Sequence, residues 1–257
     1  MIKKVYQTVL SERKRISIRL FLRRLVYPFY VGNKFYCNIC GKHFRKFISK
    51  GNVRRLNAKC PYCHSLERGR VLDLYLEKEL GIYQKKGIKI LHFAPEYGLQ
   101  KKMSRIKEVE YIDGDINPAL ANHVIDITSI GYENNYFDLI ICSHVLGHVP
   151  EEALAIKEMY RVLKNDGVAI VMTLINPESP NTIEDKNIIK SEDRLKYYGE
   201  ADLCRLHGLD FSNRLKEQGF YVEPIDYRKA FSAIDQEIHC LGDGQREMIF
   251  RCQRTNT

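Results

Sequence analysis

Two cysteine pairs, Cys37-x-x-Cys40 and Cys60-x-x-Cys63, carry the most specific chemistry in this 257-residue chain. The 19 residues between them fall inside the spacing window for a four-cysteine metal site. Each pair can close a tight knuckle with both thiolates aimed at one ion, and two knuckles complete a tetrahedron. Gly41 follows the first pair, where a knuckle backbone needs positive φ, and Pro61 sits inside the second. A segment this small and polar has little core of its own, so a metal would supply much of its folding energy. The expectation is a structural zinc ribbon on Cys37, Cys40, Cys60 and Cys63. It is preferred to four unrelated thiols or a redox pair. His43 and His64 are bystanders, because four thiolates already close the site.

A second group of residues suits a nucleotide-like ligand. Residues 88–103, IKILHFAPEYGLQKKM, read as strand, turn and helix start. Such a unit sets backbone N–H groups and a helix N-terminus at the carboxyl edge of a sheet. Asp115 ends the next strand, where a carboxylate can accept hydrogen bonds from both hydroxyls of a ribose. Asp126-Ile127 ends the third strand, and Ser143-His144 lies at the end of the fourth.

These positions require an alternating α/β pattern. Strands are expected at 88–93, 109–113, 123–126, 137–142 and 167–174. Helices are expected at about 98–107, from Pro118, at 151–163 and at 208–218. An amphipathic helix over 65–80 would join the ribbon to this unit. Residues 175–206 are polar and irregular, as in an insertion over the ligand site. Strands at 220–227 and 246–253, with no helix between them, imply an antiparallel sheet edge. The domain reading is a basic amphipathic arm over 1–34, a zinc ribbon over 35–65 and an α/β domain over 66–257.

Charge is uneven along the chain. Residues 1–70 carry a net +16 and the remainder a net −7. A basic module on a mildly acidic domain suggests an anionic partner such as nucleic acid, a membrane surface or a phosphorylated substrate. Residues 11–27 mix six basic residues with Ile16, Ile18, Leu20, Phe21, Leu22, Leu25 and Val26. They read as a helix packed on its own protein with snorkelling arginines, or as a helix making peripheral membrane contact. No run is long and apolar enough to span a bilayer, and no cleavable signal is evident. The expected compartment is the cytoplasm, with reduced thiols; Cys142, Cys204, Cys240 and Cys252 read as buried thiols.

Residues 126–172, DITSIGYENNYFDLIICSHVLGHVPEEALAIKEMYRVLKNDGVAIVM, resemble the strand-3-to-strand-5 segment of the class I S-adenosylmethionine-dependent methyltransferases. The resemblance extends over about 86–254. It implies a Rossmann-like seven-stranded sheet with an antiparallel last strand, here preceded by a small zinc ribbon. It also implies S-adenosylmethionine as cofactor. By that resemblance the turn Phe93, Ala94, Pro95, Glu96 and Gly98 lies under the methionine part, Asp115 with Ile116 takes the ribose, and Asp126-Ile127 brackets the adenine. Ser143 faces the cofactor, and His144 is the first candidate for a general base. The family's usual D-x-G-x-G-x-G turn is replaced here by HFAPEYG. That turn is similar to the one in zinc-ribbon methyltransferases linked to surface-glycan synthesis, with Glu96 standing in for the lost acid. The segment 197–211, YYGEADLCRLHGLDF, also resembles that group, except that its usual Asp-His reads Asp202-Leu203. Gly147 stands where the wider family commonly carries Glu.

The expected function is therefore methyl transfer to a small molecule or a glycan intermediate. Asp202, Arg205 and His207 are candidate substrate-binding residues, and His148 is read as structural. RNA methylation with the basic module gripping phosphates is less favoured, because no stacking platform is evident. A degenerate binding protein and a nicotinamide dehydrogenase are further alternatives; the missing G-x-G-x-x-G disfavours the second. The sequence leaves the oligomeric state open.

Overall fold

Period-two alternation decides which side of the sheet each strand residue faces, and here both sides are apolar. The computed structural model describes residues 11–255. Residues 1–10 of the N-terminal arm lie outside that range. Seven strands form one sheet: β5 (Lys89–Phe93), β6 (Glu110–Asp115), β7 (His123–Val124), β8 (Phe137–Ser143), β9 (Leu163–Met172), β12 (Phe220–Ile225) and β13 (Ile249–Arg254). Their order is β12-β13-β9-β8-β5-β6-β7. Strands β5 to β9 pair in parallel, while β13 is antiparallel to both β9 and β12.

Leu91, Phe93, Ile140, Cys142, Ala169 and Val171 face one core with α4 (Glu152–Val162) and α6 (Phe211–Lys216). Ile90, Leu139, Ile141, Ile170 and Met172 face the other, with α2 (Glu67–Lys78) and α3 (Tyr97–Met103). Burial on both faces is what a parallel sheet requires.

The cysteine module consists of two short antiparallel hairpins. The first pairs β1 (Val31–Cys37) with β2 (Lys42–Phe44); the second pairs β3 (Ile48–Lys50) with β4 (Arg55–Lys59). Its buried Phe35, Phe44 and Phe47 belong to the same apolar cluster as Leu72, Leu99 and Ile90. The module is thus built onto the sheet domain rather than strung from it. Ahead of it runs α1 (Glu12–Val26).

Three local expectations need correcting. No helix begins at Pro118; the Asn117 side-chain carbonyl takes the Ala119 N–H at 2.9 Å and closes a turn. The Asn165-Asp166-Gly167 stop signal lies inside β9, as a bulge between Phe137↔Leu163 and Leu139↔Val168. A helix, α7 (Ala233–His239), does separate the last two strands. Its N-cap is legible in the sequence: Ser232 Oγ accepts the Asp235 N–H at 3.1 Å. The 175–206 segment also holds β10 (Ile183–Glu184), paired with β11 (Arg205–Leu206), and α5 (Ser191–Tyr198).

Candidate active site

The carboxyl ends of β5, β6 and β8 open into a cleft of about 600 Å³. Phe93, Ala94, Asp115, Ile116, Asp126 and Ile127, six of the ten sequence candidates for cofactor binding, line it. Asp115 is held in place because its Oδ1 accepts the Asn117 N–H at 2.8 Å. Its Oδ2 takes no donor among the described residues and is the oxygen left for a ligand. Asp126 is fixed in the same way, accepting the N–H and hydroxyl of Thr128 at 2.8 and 2.7 Å. Gly114, just before Asp115, packs closely on Ile125: a Cβ there would lie 2.9 Å from Ile125 Cδ1 and 3.1 Å from its Cβ.

The other four cofactor candidates lie elsewhere. Glu96 turns away from the cleft to the N-terminus of α2, where its Oε2 accepts the Leu66 N–H at 3.0 Å. Its Oε1 stands 2.9 Å from Arg68 Nε. The free amide donors and positive end of that helix attract the carboxylate. Gly98 packs on the second cysteine knuckle, where a Cβ would meet the Cys63 carbonyl at 2.9 Å. Pro95 is half-buried outside the cleft lining. Ser143 directs its hydroxyl to the Met172 sulfur at 3.8 Å. The altered turn therefore reaches toward the cysteine module as well as toward the cleft.

His144 borders both the cleft and a small inner cavity of about 70 Å³. Its backbone is left-handed, with φ +57°. Its Nε2 lies 2.9 Å from the Arg246 carbonyl, which can only accept. That contact assigns the proton to Nε2 and leaves Nδ1 as an acceptor. Burial, then the nearby Arg68 and Arg246 charges, hold the imidazole well below its ordinary pKa, so it is neutral at pH 7. His148, read from the sequence as structural, also lines both cavities. Its Nδ1 is 3.2 Å from the Asp202 carbonyl oxygen and 3.5 Å from the Asp202 carboxylate. Arg246 pairs with Glu200 at 2.9 Å on the same rim.

Of the substrate candidates, only Asp202 is exposed at the cleft, with 78% of its side chain accessible. Arg205 and His207 are each 1% exposed. Arg205 donates to the carbonyls of Leu146, Val149 and Pro150 and to Glu184. It clamps the turn that carries His148. His207 lies between Thr173 Oγ1 at 2.8 Å and Glu152 Oε1 at 2.6 Å. Burial lowers its pKa, so the neutral ring donates to Glu152 and accepts from Thr173. Burial alone would raise the Glu152 carboxyl, but His207, Arg205 and Arg214 outweigh it and hold that group low.

Removing one partner from such a buried charged group costs roughly 3–5 kcal/mol. Arg205→Ala should therefore lower the melting temperature by roughly 10 °C. A substrate role alone would leave the melt unchanged and raise only KM.

The four cysteine sulfurs lie within 4.8 Å of one another. Cys37 and Cys63 are 3.6 Å apart, Cys40 and Cys60 3.8 Å. Four thiolates bound tetrahedrally at about 2.3 Å would stand about 3.8 Å apart, so the set is compatible with zinc. Both knuckles turn through a left-handed residue, Gly41 at φ +66° and His64 at φ +65°. The Ser65 hydroxyl lies 3.4 and 3.3 Å from the Cys37 and Cys63 sulfurs. Sequence reasoning missed Arg70, which is wholly buried. It donates to the carbonyls of Ala58, Ser65, His239 and Cys240, joining the module to α7.

Residues 98–171 match the family described as "Methyltransferase domain". A search of curated proteins found no match. Among solved structures, the chain is similar to the [4+2]-cyclase SpnF, at 16% identity over 73% of this chain and 82% of that one, with a TM-score of 0.50. It is also similar to the CurJ carbon methyltransferase, at 16% identity over 73% and 53%, TM-score 0.49. A third is the 1,6-didemethyltoxoflavin-N1-methyltransferase of Burkholderia thailandensis, solved with S-adenosylhomocysteine, at 13% identity over 74% and 79%, TM-score 0.49. With the family match inside it and its last strand antiparallel, this seven-stranded sheet has the Rossmann-like methyltransferase fold.

Proposed function

We propose that the protein methylates a small molecule or a glycan intermediate, with its four cysteines holding a structural zinc ion. The observation that carries this reading is the cleft whose lining brings together Asp115, Asp126 and His144. Bound there, S-adenosylmethionine would supply an electrophilic methyl group. Asp115 Oδ2, with Ile116 beside it, suits the ribose hydroxyls, and Asp126-Ile127 suit the adenine. His144 Nδ1 can accept a hydrogen bond from an oxygen or nitrogen acceptor and orient it, because the ring is neutral and its other nitrogen is tied to Arg246; the burial and charges that keep it neutral also make it a weak base. Methyl transfer from a sulfonium otherwise needs little beyond alignment. The ring of Asp202, Glu200, His148 and Arg246 offers a polar acceptor both hydrogen-bond donors and acceptors. The zinc-ribbon, HFAPE-type resemblance supports the glycan branch of this proposal.

One observation favours RNA as a second reading. A groove of about 1120 Å³ between the cysteine module and α3 is lined by Lys42, Lys85, Lys101, Arg105 and Lys107. Calorimetry with S-adenosylmethionine tests the shared part: absence of binding by folded, metal-loaded protein would sink both readings. Extract incubated with isotopically labelled cofactor then separates them. Label is expected in a small-molecule or polysaccharide fraction; label lost to ribonuclease assigns RNA instead.

A further inference from the structure

The N-terminal helix presents its apolar side outward. At 3.6 residues per turn, Ile18, Phe21, Leu22, Leu25 and Val26 share an arc of about 140° on α1. All five are exposed, Phe21 by 62% and Leu25 by 59%. Phe29 and Val31, just beyond the helix, extend the row at 70% and 51%. Ile16 and Leu20 lie on the opposite side of the helix and are half-buried. Arg13 donates to Asn122 at 2.8 Å, fixing the start of the helix to the domain. A surface helix would normally turn the opposite way, polar side to water.

The same fifteen residues, ERKRISIRLFLRRLV, contain six cations and one acid. The cations continue beyond the helix: Tyr27 packs its ring against Tyr62 at 5.1 Å and beneath Lys42 at 5.3 Å, and both of those line the lysine-rich groove. A second copy or a protein groove would use the apolar row but not this charge. RNA would use the charge but not an exposed aliphatic and aromatic row. An anionic bilayer uses both, with apolar side chains below the headgroups and cations among them. Among the described residues no helix is long and apolar enough to cross a membrane, so this one can only lie on it.

We infer that α1 and the start of the cysteine module form a membrane-surface anchor selective for anionic lipid. The inference does not rest on the methyltransferase reading, because binding is measured without cofactor or substrate. Its two ends give it a functional position. Glu12 reaches Asn117, just beyond Asp115, and Tyr27 reaches the cysteine module, so the anchor runs from the cleft rim to the ribbon.

The chain contains no tryptophan, so Phe21→Trp introduces a single reporter. With the full-length protein, its emission should shift to the blue on mixing with phosphatidylcholine vesicles doped with phosphatidylglycerol, and not with phosphatidylcholine alone. The double variant Phe21→Asp/Leu25→Asp should co-sediment with the anionic vesicles at least about tenfold less well, with an unchanged melt. Equal partition of wild type and double variant would overturn the proposal, since charge alone would then explain binding. So would a blue shift without lipid that tracks dimer formation by light scattering. RNA binding by a protein that ignores the vesicles would overturn it as well.

Discussion

Removing the metal from the four-cysteine cluster is expected to weaken S-adenosylmethionine binding by at least about tenfold, although no cysteine lines the cofactor cleft. The coupling runs through two contacts on the turn after β5. Gly98 sits so close to Cys63 that a methyl group could not be added. Glu96, two residues earlier, is bound to the Leu66 N–H and Arg68 immediately after the second knuckle. If the knuckle loosens, both supports of the Phe93–Ala94 wall go with it. The module also shares one apolar cluster with α2 and α3, so it cannot unfold without exposing part of the domain core. Structural zinc binding contributes roughly 10–16 kcal/mol in small zinc modules. The melting temperature should therefore fall by more than about 10 °C on chelation, with refilling by zinc restoring it. Elemental analysis should find one zinc per chain, and Cys63→Ser should behave as the chelated protein does. Glu96→Gln separates the coupling from general unfolding: zinc content should stay at one while cofactor affinity falls. Unchanged affinity in both Glu96→Gln and the metal-free protein would show that the turn stands without the ribbon.

What the sequence disclosed, and what it withheld, follows from the range of the interactions involved. The buried strands were legible because IKILHF and YFDLIICS place apolar side chains on both faces, which is a local property. The cysteine quartet was legible because the ligand spacing of a knuckle is itself local. Glu96 was misread because nothing near it in sequence indicates that its partners are Leu66 and Arg68, some 30 residues earlier. The structural partners of Arg205 and His207 are hidden in the sequence for the same reason. Most of their partners, Leu146 to Glu152, lie more than 50 residues away, and only the packed insertion makes a charged pair into an internal clamp. The two departures from the family pattern at Gly147 and Leu203 are neighbours in space. A Cβ at 147 would lie 2.7 Å from Leu203 Cδ2, and Leu203 is buried. Leu203 thus packs against Gly147. Two departures that look separate in the sequence are in contact in the fold.

Asp115→Ala should abolish cofactor binding without harming the fold, the other large effect expected here. Asp115 is half-buried at the end of β6, and its Oδ1 bond to Asn117 is the only hydrogen bond its side chain makes among the described residues. That turn bond is a local contribution of about 1 kcal/mol, so the melt should shift by only a few degrees. The lost ligand contacts are larger. A carboxylate accepting from two hydroxyls forms charge-assisted bonds worth about 1.5–3 kcal/mol each, so the dissociation constant should rise at least about 100-fold. Asp115→Asn sharpens the test. Its side-chain carbonyl can still take the Asn117 N–H, so the turn survives. Its amide then presents donors where the ribose also donates. Calorimetry should rank the affinities wild type first, Asp115→Asn well below it, and Asp115→Ala at or below that. If Asp115→Ala bound S-adenosylmethionine as wild type does, the cofactor would have to lie elsewhere. The cleft at the ends of β5, β6 and β8 would then no longer be the site of methyl transfer.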